Sequence, residues 1–492
     1  TGATAARGSS VDPTTLINWV RGVDNKEDEN VNSSLVDCRA SIHGDVLHSR
    51  PLVVNYGDAT GIYAFYGAND GTFRAVKAGQ DETATSTDGN EVWSFVAPEH
   101  YSTLGRLYNN TPLIKYLGQT APRTPRNYYF DGNIGVFQSA DLATTHIFLS
   151  MRRGGRFVYA LDVSTPTAPK FLWKKSYTDT GFSELGYTWS EPKVIALKKT
   201  AGVACKASDS GLSTDATSSY IRALVFGAGY DPTSDDTTSG TYRPPATMGR
   251  GVFVLNAADG SLIKLLQAPA NDYKSQSNSS RMYPIPSDVT LLDTDADGCT
   301  DRIYAGDTGA KLHRFDIGDP SSANWKAYTI ATLGDSGNNG GSNDRKFLYP
   351  PEVVLSVIGG KQVAYVMGGT GDREQPSATA ISDRFYMIRD TIEVGDAVAT
   401  STTTTNAIRE SQLTEVTDFN AATTTIDSTV ANAVTCTKNS AASTVTPCFF
   451  GWYLDYETGE KSVNAPLTVA GTTFFGTNKP KTVDPRSCEA NL

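Results

Sequence analysis

The sequence lacks the features that mark membrane-spanning, nucleic-acid-binding, haem and zinc proteins. In its 492 residues no run approaches the roughly 18 apolar residues that a spanning helix needs, so we do not expect the chain to cross a membrane. The 43 Lys and Arg residues are scattered and outnumbered by 53 Asp and Glu residues, which argues against a nucleic-acid partner. The six cysteines form no Cys-x-x-Cys pair, which excludes zinc-ribbon, thioredoxin-like and c-type haem sites.

The six cysteines leave two interpretations open. Cys436 and Cys448 bracket a short loop rich in Thr, Ser and Ala, a spacing compatible with a local disulfide in an oxidising compartment. Free buried cysteines are the alternative, because cysteine often serves as a small core residue. The net charge of −10 suits a secreted, cation-binding protein. The first ten residues have neither a Met nor a signal-peptide pattern, and we expect them to be a cut from a longer chain.

The densest cluster of charge is the stretch 293–301, Asp-Thr-Asp-Ala-Asp-Gly-Cys-Thr-Asp, here called the aspartate loop. Calcium prefers about six to eight oxygen ligands, and alternate residues of a tight loop direct their side chains to one centre. The glycine at the sixth place suits a sharp turn with positive φ. The spacing therefore predicts a Ca²⁺ site formed by four carboxylates and one backbone carbonyl, those of Asp293, Asp295, Asp297, Asp301 and Cys299, with Asp301 binding directly or through water.

The flanks of the aspartate loop predict strands rather than the helices of an EF-hand. Position twelve is Tyr304 instead of Glu, and the flanking residues 288–292 and 302–307 are β-branched, aromatic or alternating. We therefore expect a β-hairpin calcium loop, as in integrin-type propeller repeats. An ordinary solvated turn is the alternative, and Mg²⁺ is a poorer match because it retains more waters. Without a cation, four neighbouring carboxylates would repel one another and loosen the hairpin.

A repeated unit begins near residue 44 and predicts the fold. Its first half is a proline followed by a β-branched run; these runs are 50–54, 191–197, 286–292, 350–355 and 465–469. Its second half is a hairpin around a glycine turn; these hairpins are 62–76, 146–162, 223–259, 302–316 and 363–390. Trp93, Trp173 and Trp325 follow three hairpins, where a fourth strand is expected, and we interpret them as core residues.

Four-stranded units repeated around a circle form a β-propeller. The sequence therefore predicts an all-β fold, a modified seven-bladed propeller in which five units are clear and a sixth carries 448–455. We assign 1–43 to a leading segment, with a short helix at 12–22, and 44–492 to the propeller domain. Long insertions interrupt the pattern, the longest at 394–447, and such loops are common places for partner contacts.

Catalytic patterns in the sequence are weak. Asp45, His48 and Ser49 have the residue types of a hydrolase triad, but neighbours in a strand point to opposite faces, so His48 and Ser49 are not expected to meet. No Gly-x-Ser-x-Gly elbow supports them, and the other histidines show no metal-ligand spacing. A quinone-dependent dehydrogenase is the enzymatic alternative, but the chain has no adjacent cysteine pair. We therefore expect no enzymatic activity.

Three stretches carry a resemblance to a known family: Asn-Trp-Val-Arg-Gly-Val-Asp at 18–24, Gly-Asp-Val-Leu-His-Ser-Arg-Pro-Leu-Val-Val-Asn-Tyr-Gly at 44–57, and Tyr-Gly-Ala-Asn-Asp-Gly-Thr-Phe-Arg-Ala at 66–75. With the aspartate loop, they closely resemble the C-terminal domain of PilY1/PilC-type proteins of type IV pili, over essentially the whole chain. The resemblance implies a modified, quinoprotein-like seven-bladed propeller. It also implies that the five predicted ligands match the family's calcium-ligand positions.

The resemblance further implies a function, partners and a location. It implies a calcium-binding pilus biogenesis factor and surface adhesin, in which calcium occupancy sets the balance between pilus extension and retraction, and thus twitching motility and attachment. The implied partners are pilin or minor pilins and a host-cell receptor, and the implied location is the cell surface or the pilus tip. Some members carry an Arg-Gly-Asp integrin-binding tripeptide, whereas this chain has Arg21-Gly22-Val23-Asp24. The alternatives are a calcium ion that only stabilises the fold and a quinoprotein enzyme.

Overall fold

The computed structural model describes residues 11–27, 34, 37–57, 60–79, 88–115, 123–205, 220–235, 246–267, 282–334, 344–358, 361–390, 407–415, 450–480 and 488–491. Contacts divide the chain into two compact units. The first comprises Thr1–Asp179, Tyr187–Lys193 and Ser208–Gly211, and the second comprises Thr180–Gly186, Val194–Ala207 and Leu212–Leu492. Within the described ranges, no helix has the length and apolarity needed to cross a bilayer. The boundary between 1–43 and 44–492 stays a prediction.

The first unit opens on a helix, α1 (Pro13–Val20), at the predicted place. Asp12 caps it by accepting a hydrogen bond from the Thr15 backbone N–H at 2.9 Å, and proline occupies the first turn, where its missing N–H has no consequence. Leu16 packs in a small core cluster with Leu104, which belongs to a second helix, α2 (Tyr101–Asn109). The sequence patterns did not predict α2.

Two four-stranded antiparallel sheets make up most of the described first unit. Their strands are β1 (Leu52–Asn55), β2 (Ile62–Gly67), β3 (Phe73–Ala78) and β4 (Glu91–Phe95), then β5 (Ile134–Gln138), β6 (Thr145–Ser150), β7 (Phe157–Asp162) and β8 (Lys170–Ser176). Each sheet keeps its strands in chain order, which is the meander of a propeller blade. Trp93 and Trp173 lie on the fourth strands, as predicted, and pack against Phe65 and Phe148 of their own sheets.

Three further sheets repeat this meander. The third contains β9 (Lys193–Lys198), β10 (Tyr220–Gly227), β11 (Val252–Asn256) and β12 (Leu262–Leu266); the fourth contains β13 (Thr290–Leu292), β14 (Arg302–Gly306), β15 (Lys311–Asp316) and β16 (Lys326–Thr332); the fifth contains β17 (Glu352–Ile358), β18 (Lys361–Gly369) and β19 (Arg384–Asp390). Two short strands, β20 (Ile408–Arg409) and β21 (Thr414–Glu415), pair in parallel with β16 and with β22 (Gly451–Asp455), respectively. β22 completes the fifth sheet beside β19.

Short strands near the end of the chain form two smaller sheets. One contains β23 (Lys461–Ser462), β26 (Thr477–Pro480) and β27 (Cys488–Asn491), and the other contains β24 (Leu467–Val469) and β25 (Thr472–Phe474). Short 3-10 turns occupy Pro98–His100, Arg152–Gly154, Ser322–Asn324 and Glu410–Gln412. The described structure therefore contains five complete four-stranded units and additional short strands.

The predicted all-β, propeller-type fold is confirmed, whereas one unit was assigned wrongly. All five predicted hairpins form the second and third strands of their sheets, and Pro51, Pro192 and Pro351 directly precede the first strands β1, β9 and β17. The prediction that 448–455 belongs to a sixth unit is wrong, because β22 is the fourth strand of the fifth sheet. The long insertion at 394–447 separates this strand from its hairpin in sequence and concealed the connection. The number of seven blades stays a prediction.

The core of the second unit fixes the strands that carry the aspartate loop. Ile303 on β14 and Phe315 on β15 are fully buried, in a cluster with Ile195 and Val225 of the third sheet. All five residues of β14 are buried. Because close-packed cores hold their side chains in defined positions, one end of the loop is attached to a rigid part of the unit.

Asp383 is a buried carboxyl group in the second unit. The residue is 2% exposed, and neither side-chain oxygen has a hydrogen bond of ordinary geometry within the described part of the chain. The Thr370 hydroxyl, which faces it, donates to the Arg384 backbone carbonyl instead. Burial raises the pKa of Asp383 to about 6, and the neighbouring cations Lys461 and Arg345 offset this only in part.

The stability of the second unit is therefore expected to fall as the pH rises from about 4 to about 6. In that window the folded chain keeps the Asp383 proton while the unfolded chain releases it, so the free energy of unfolding decreases with pH, by about 3 kcal/mol in full. Asp383→Asn should remove this dependence and raise the urea midpoint at pH 8. Urea unfolding between pH 4 and pH 8 measures it, with the exposed Asp259→Asn as control; parallel pH profiles for Asp383→Asn and the parent would contradict the prediction.

Candidate metal centre

The aspartate loop connects β13 to β14, as the strand character of its flanks predicts. The two strands pair antiparallel, with Thr290 opposite Tyr304 and Leu292 opposite Arg302. The Asp301 backbone N–H donates to the Leu292 carbonyl at 2.9 Å, which closes the loop at its base. The predicted β-hairpin setting is confirmed, and the helices of an EF-hand are absent from these flanks.

Gly298 is required in the loop for two reasons. Its φ is +84°, in the left-handed region that side chains rarely adopt. A Cβ atom there would lie 2.4 Å from the Cys205 carbonyl oxygen, far inside van der Waals contact. Ala296 also has a left-handed φ, +60°, so the loop holds a strained residue next to its carboxylates.

Gly298→Ala is expected to destabilise the second unit by about 2–3 kcal/mol, because backbone strain and a steric clash with Cys205 act together. Gly202→Ala is the matched control, since Gly202 has a φ of +73° but open space around its Cβ position; it should cost about 1 kcal/mol. Thermal or urea unfolding measures both variants. If both variants lost the same free energy of unfolding, the close approach of the Gly298 Cβ position to Cys205 would not contribute to the destabilisation.

Backbone N–H groups of the loop point at its carboxylates. Asp293 accepts hydrogen bonds from Asp297 N–H at 3.2 Å and from Gly298 N–H at 2.8 Å. Asp295 Oδ1 accepts from Asp297 N–H at 3.3 Å, and Asp297 Oδ1 accepts from Cys299 N–H at 2.8 Å. These bonds hold the side chains on the inner side of the turn, where oxygens converge.

Three of the four predicted carboxylate ligands come together and one does not, while the Cys299 carbonyl as a fifth ligand stays a prediction. Asp293, Asp295 and Asp297 each present an oxygen atom, and these atoms all lie within 4.8 Å of one another. Asp301 is outside this group. It is 8% exposed, and its Oδ2 accepts hydrogen bonds from the Thr294 backbone N–H and hydroxyl, at 2.8 and 2.7 Å. Asp301 thus closes the base of the loop in this structure.

A lysine that local spacing did not reveal lies among the carboxylates. The Lys198 Nζ atom, at the end of β9, is 3.3 Å from Asp295 Oδ2, 2.9 Å from Asp297 Oδ2 and 3.2 Å from Asp301 Oδ1. Burial alone would lower the pKa of Lys198, but its hydrogen bonds to Asp297 and Asp301 raise the pKa above its ordinary value. The expectation that an empty loop carries only uncompensated charge is therefore wrong.

A disulfide joins the loop to the segment that follows β9. Cys205 and Cys299 are both buried and are bonded across 94 residues of sequence. The Cys205 N–H donates to the Asp297 carbonyl at 3.0 Å, and Thr300 N–H donates to the Ala196 carbonyl at 2.9 Å. The sequence left this pairing open. The predicted Cys436–Cys448 pair lies outside the described residues.

The donor set fits a hard divalent cation. Converging carboxylate oxygens are the ligands that calcium prefers, and water molecules or backbone carbonyls can complete its shell. Lys198 provides a second indication, because these oxygens already attract a cationic group. Asp293, Asp295 and Asp297 are the residues that would hold the ion, and the ion would supply the positive charge that fixes the turn.

The three residues with the types of a hydrolase triad, which were not expected to meet, make different contacts in the structure. His48 Nδ1 is 2.8 Å from Asp131 Oδ2, whereas Ser49 is buried and its Oγ accepts from Gly67 N–H at 3.0 Å. Asp45 forms an ion pair with Arg126 at 2.5 Å. Each of the three thus serves a different hydrogen-bonded contact, as expected for a structural loop before β1.

The stretch that resembles an integrin-binding tripeptide has an exposed Arg21 but a buried acidic residue. Asp24, the acidic residue of Arg21-Gly22-Val23-Asp24, is fully buried at 0% exposure. Its backbone N–H donates to the Asp37 carbonyl at 2.8 Å. A carboxylate in this position is out of reach of a receptor-bound metal ion.

Comparison with known proteins finds relatives in sequence. The chain is 26% identical over 342 residues to a type IV pilus biogenesis factor PilY1 homologue of Xylella fastidiosa, a match that covers 65% of this chain and 20% of the relative. It is 25% identical over 306 residues to type IV pilus biogenesis factor PilY1 of Pseudomonas aeruginosa strain UCBPP-PA14, covering 57% of this chain and 21% of that protein. The chain therefore spans about a fifth of the length of these relatives. No family model matches it.

A solved structure shares the fold. The crystal structure of the Pseudomonas aeruginosa PilY1 C-terminal domain matches with a TM-score of 0.52 and 17% sequence identity, over 85% of this chain and 76% of that one. The likeness agrees with the repeated four-stranded units. At this identity it concerns the fold and leaves the chemistry of the aspartate loop to be judged from its own residues.

Proposed function

The chain is homologous to the PilY1 type IV pilus biogenesis factors, and from this we propose that it acts in type IV pilus biogenesis through a calcium-binding aspartate loop. The convergence of Asp293, Asp295 and Asp297 oxygens within 4.8 Å carries the calcium part of the proposal. Calcium occupancy sets the balance between pilus extension and retraction, and the chain serves as an adhesin at the pilus or cell surface.

The proposed partners follow from the same homology. Pilin or minor pilins bind the chain during assembly, and a host-cell receptor binds it during attachment. The role requires no catalytic residue, in keeping with the separate contacts of Asp45, His48 and Ser49. With few ligands beyond the loop, the calcium affinity is expected to resemble that of extracellular modules, with a Kd of roughly 10⁻⁴ to 10⁻³ M.

Calorimetric calcium titration of the chain and of Asp297→Ala tests the proposal, followed by counts of surface pili in cells carrying each version. The parent should bind one ion, whereas the variant should lose binding without loss of β circular dichroism, since Asp297 lies in a loop and its side chain is 19% exposed. Pili should fall in number in the variant. Asp259→Asn, at an exposed aspartate in the turn between β11 and β12, is the control and should bind normally.

A stabilising ion without regulation is the second candidate, favoured by the position of the loop at the end of a hairpin. It predicts that Asp297→Ala loses calcium and stability while pilus number and attachment stay at the parental level. If the parent chain itself takes up no calcium in the millimolar range, both candidates fail.

A further inference from the structure

We propose that Lys198 is a tethered counter-cation of the aspartate loop, which calcium must displace in order to bind. This inference rests on the proposed calcium site and specifies how it is regulated. The ammonium group contacts two members of the converging carboxylate group, Asp295 and Asp297, and also Asp301. It thus occupies the side of the loop on which the negative charges meet.

Hydrogen bonding inside the loop shows which contact has to change. Both oxygens of Asp293 accept backbone N–H groups of the turn. For Asp295 and Asp297, Oδ1 accepts a backbone N–H, whereas Oδ2 contacts the Lys198 ammonium. Backbone donors belong to the fold of the turn and remain when a carboxylate binds a cation, because each oxygen has further lone pairs. Lys198 is the side-chain cation in this set and can move away.

Calcium and the Lys198 ammonium cannot occupy the loop together, because both are positively charged. A calcium ion bound to Asp295 and Asp297 would lie within a few ångströms of the ammonium, and like charges at such a distance repel strongly where solvent is partly excluded. The Lys198 side chain is 11% exposed, so water screens this repulsion only weakly. Its four-carbon stem is flexible, so the ammonium can change position without a change in the backbone of β9.

Two properties of the calcium-free chain follow from this arrangement. The loop stays ordered without an ion, because Lys198 offsets part of its negative charge and bridges it to β9. Calcium affinity is lower than the three carboxylates alone would give, because binding requires the loss of three ion pairs. The exchange therefore couples calcium uptake to the release of a side chain on a neighbouring sheet.

Lys198→Met in the full chain tests the inference. It keeps the aliphatic stem and removes the charge, so the Kd for calcium should fall at least about tenfold, the equivalent of one charge-assisted hydrogen bond. The Tm in EDTA should decrease, whereas the Tm in saturating calcium should equal that of the parent, since Lys198 is already displaced there. Lys199→Met removes the same charge one residue away, and should change the Kd less than about twofold.

The outcomes separate this inference from the proposed function. Binding by both the parent and Lys198→Met with the same Kd, or equal gains in Lys198→Met and Lys199→Met, would overturn the displacement model and leave the calcium site intact. Binding by Lys198→Met alone would support Lys198 as a competitor while removing calcium from the function of the parent chain. Absence of binding in both chains would overturn both proposals.

Discussion

Replacing Asp390 by alanine is expected to lower the free energy of unfolding of the second unit by about 3–5 kcal/mol, because it leaves a buried guanidinium group without its main partner. The side chains of Arg314 and Asp390 are both 0% exposed. Arg314 Nη1 donates to the two Asp390 oxygens at 3.0 and 3.1 Å, and the Tyr304 hydroxyl donates to Asp390 at 2.8 Å. Asp316 accepts a hydrogen bond from Arg314 Nη2 at 2.9 Å. Arg314 therefore keeps one carboxylate partner in the variant, which limits the loss of stability.

Urea unfolding measures this loss of stability. Two further variants show which interaction of Asp390 causes it. Tyr304→Phe removes one hydrogen bond from Asp390 and should cost about 1 kcal/mol. The double replacement Arg314→Leu with Asp390→Leu removes both charges and should cost less than Asp390→Ala alone, because no buried charge remains unpaired. A loss below about 1 kcal/mol for Asp390→Ala would show that Asp316 alone satisfies Arg314.

The same ion pair matters for the aspartate loop, because it connects two sheets. Arg314 lies on β15, which pairs with β14, the strand that follows the aspartate loop. Asp390 lies on β19 of the fifth sheet. Calcium binding that survives in Asp390→Ala would show that the loop forms its site locally. A matching loss of affinity would show that the position of the fourth sheet contributes to the geometry of the site.

Much of the fold followed from the sequence because its signals are local. A proline before a β-branched run marks the start of a blade at Pro51, Pro192 and Pro351, which all stand directly before a first strand. The predicted run 465–469 instead contains β24 of a two-stranded sheet. A glycine turn between aromatic strands marks a hairpin, since two adjacent strands specify each other. β22 was misassigned because its partner β19 lies beyond the insertion at 394–447, and no local pattern reports a pairing across such a distance.

In the candidate site, too, the local features were predicted from the sequence and the long-range contacts were not. The spacing of Asp293, Asp295 and Asp297 and the left-handed Gly298 follow from the geometry of one short loop. Lys198 was missed, because it contacts the loop from nearly a hundred residues away. Asp301 stays a predicted ligand: its Oδ2 accepts hydrogen bonds from the Thr294 hydroxyl and N–H at the base of the loop, whereas its Oδ1 contacts the Lys198 ammonium.

Removal of the disulfide, by Cys205→Ala together with Cys299→Ala, is expected to destabilise the second unit by about 2–5 kcal/mol. The cross-link spans 94 residues, and closing so long a loop restricts the unfolded chain strongly, which places the effect near the upper end of that range. Urea unfolding of the double variant measures it. Cys38→Ala, at an exposed free cysteine of the described chain, is the control and should leave the midpoint unchanged.

Calcium titration of the same double variant shows where the disulfide acts. Cys205 holds the loop through its N–H bond to the Asp297 carbonyl as well as through its sulfur. If the disulfide orders the folded loop, the double variant should bind calcium several-fold more weakly, because part of the binding free energy is then spent on ordering Asp297. An unchanged Kd with reduced stability would place the effect in the unfolded chain, and unchanged stability would contradict the prediction itself.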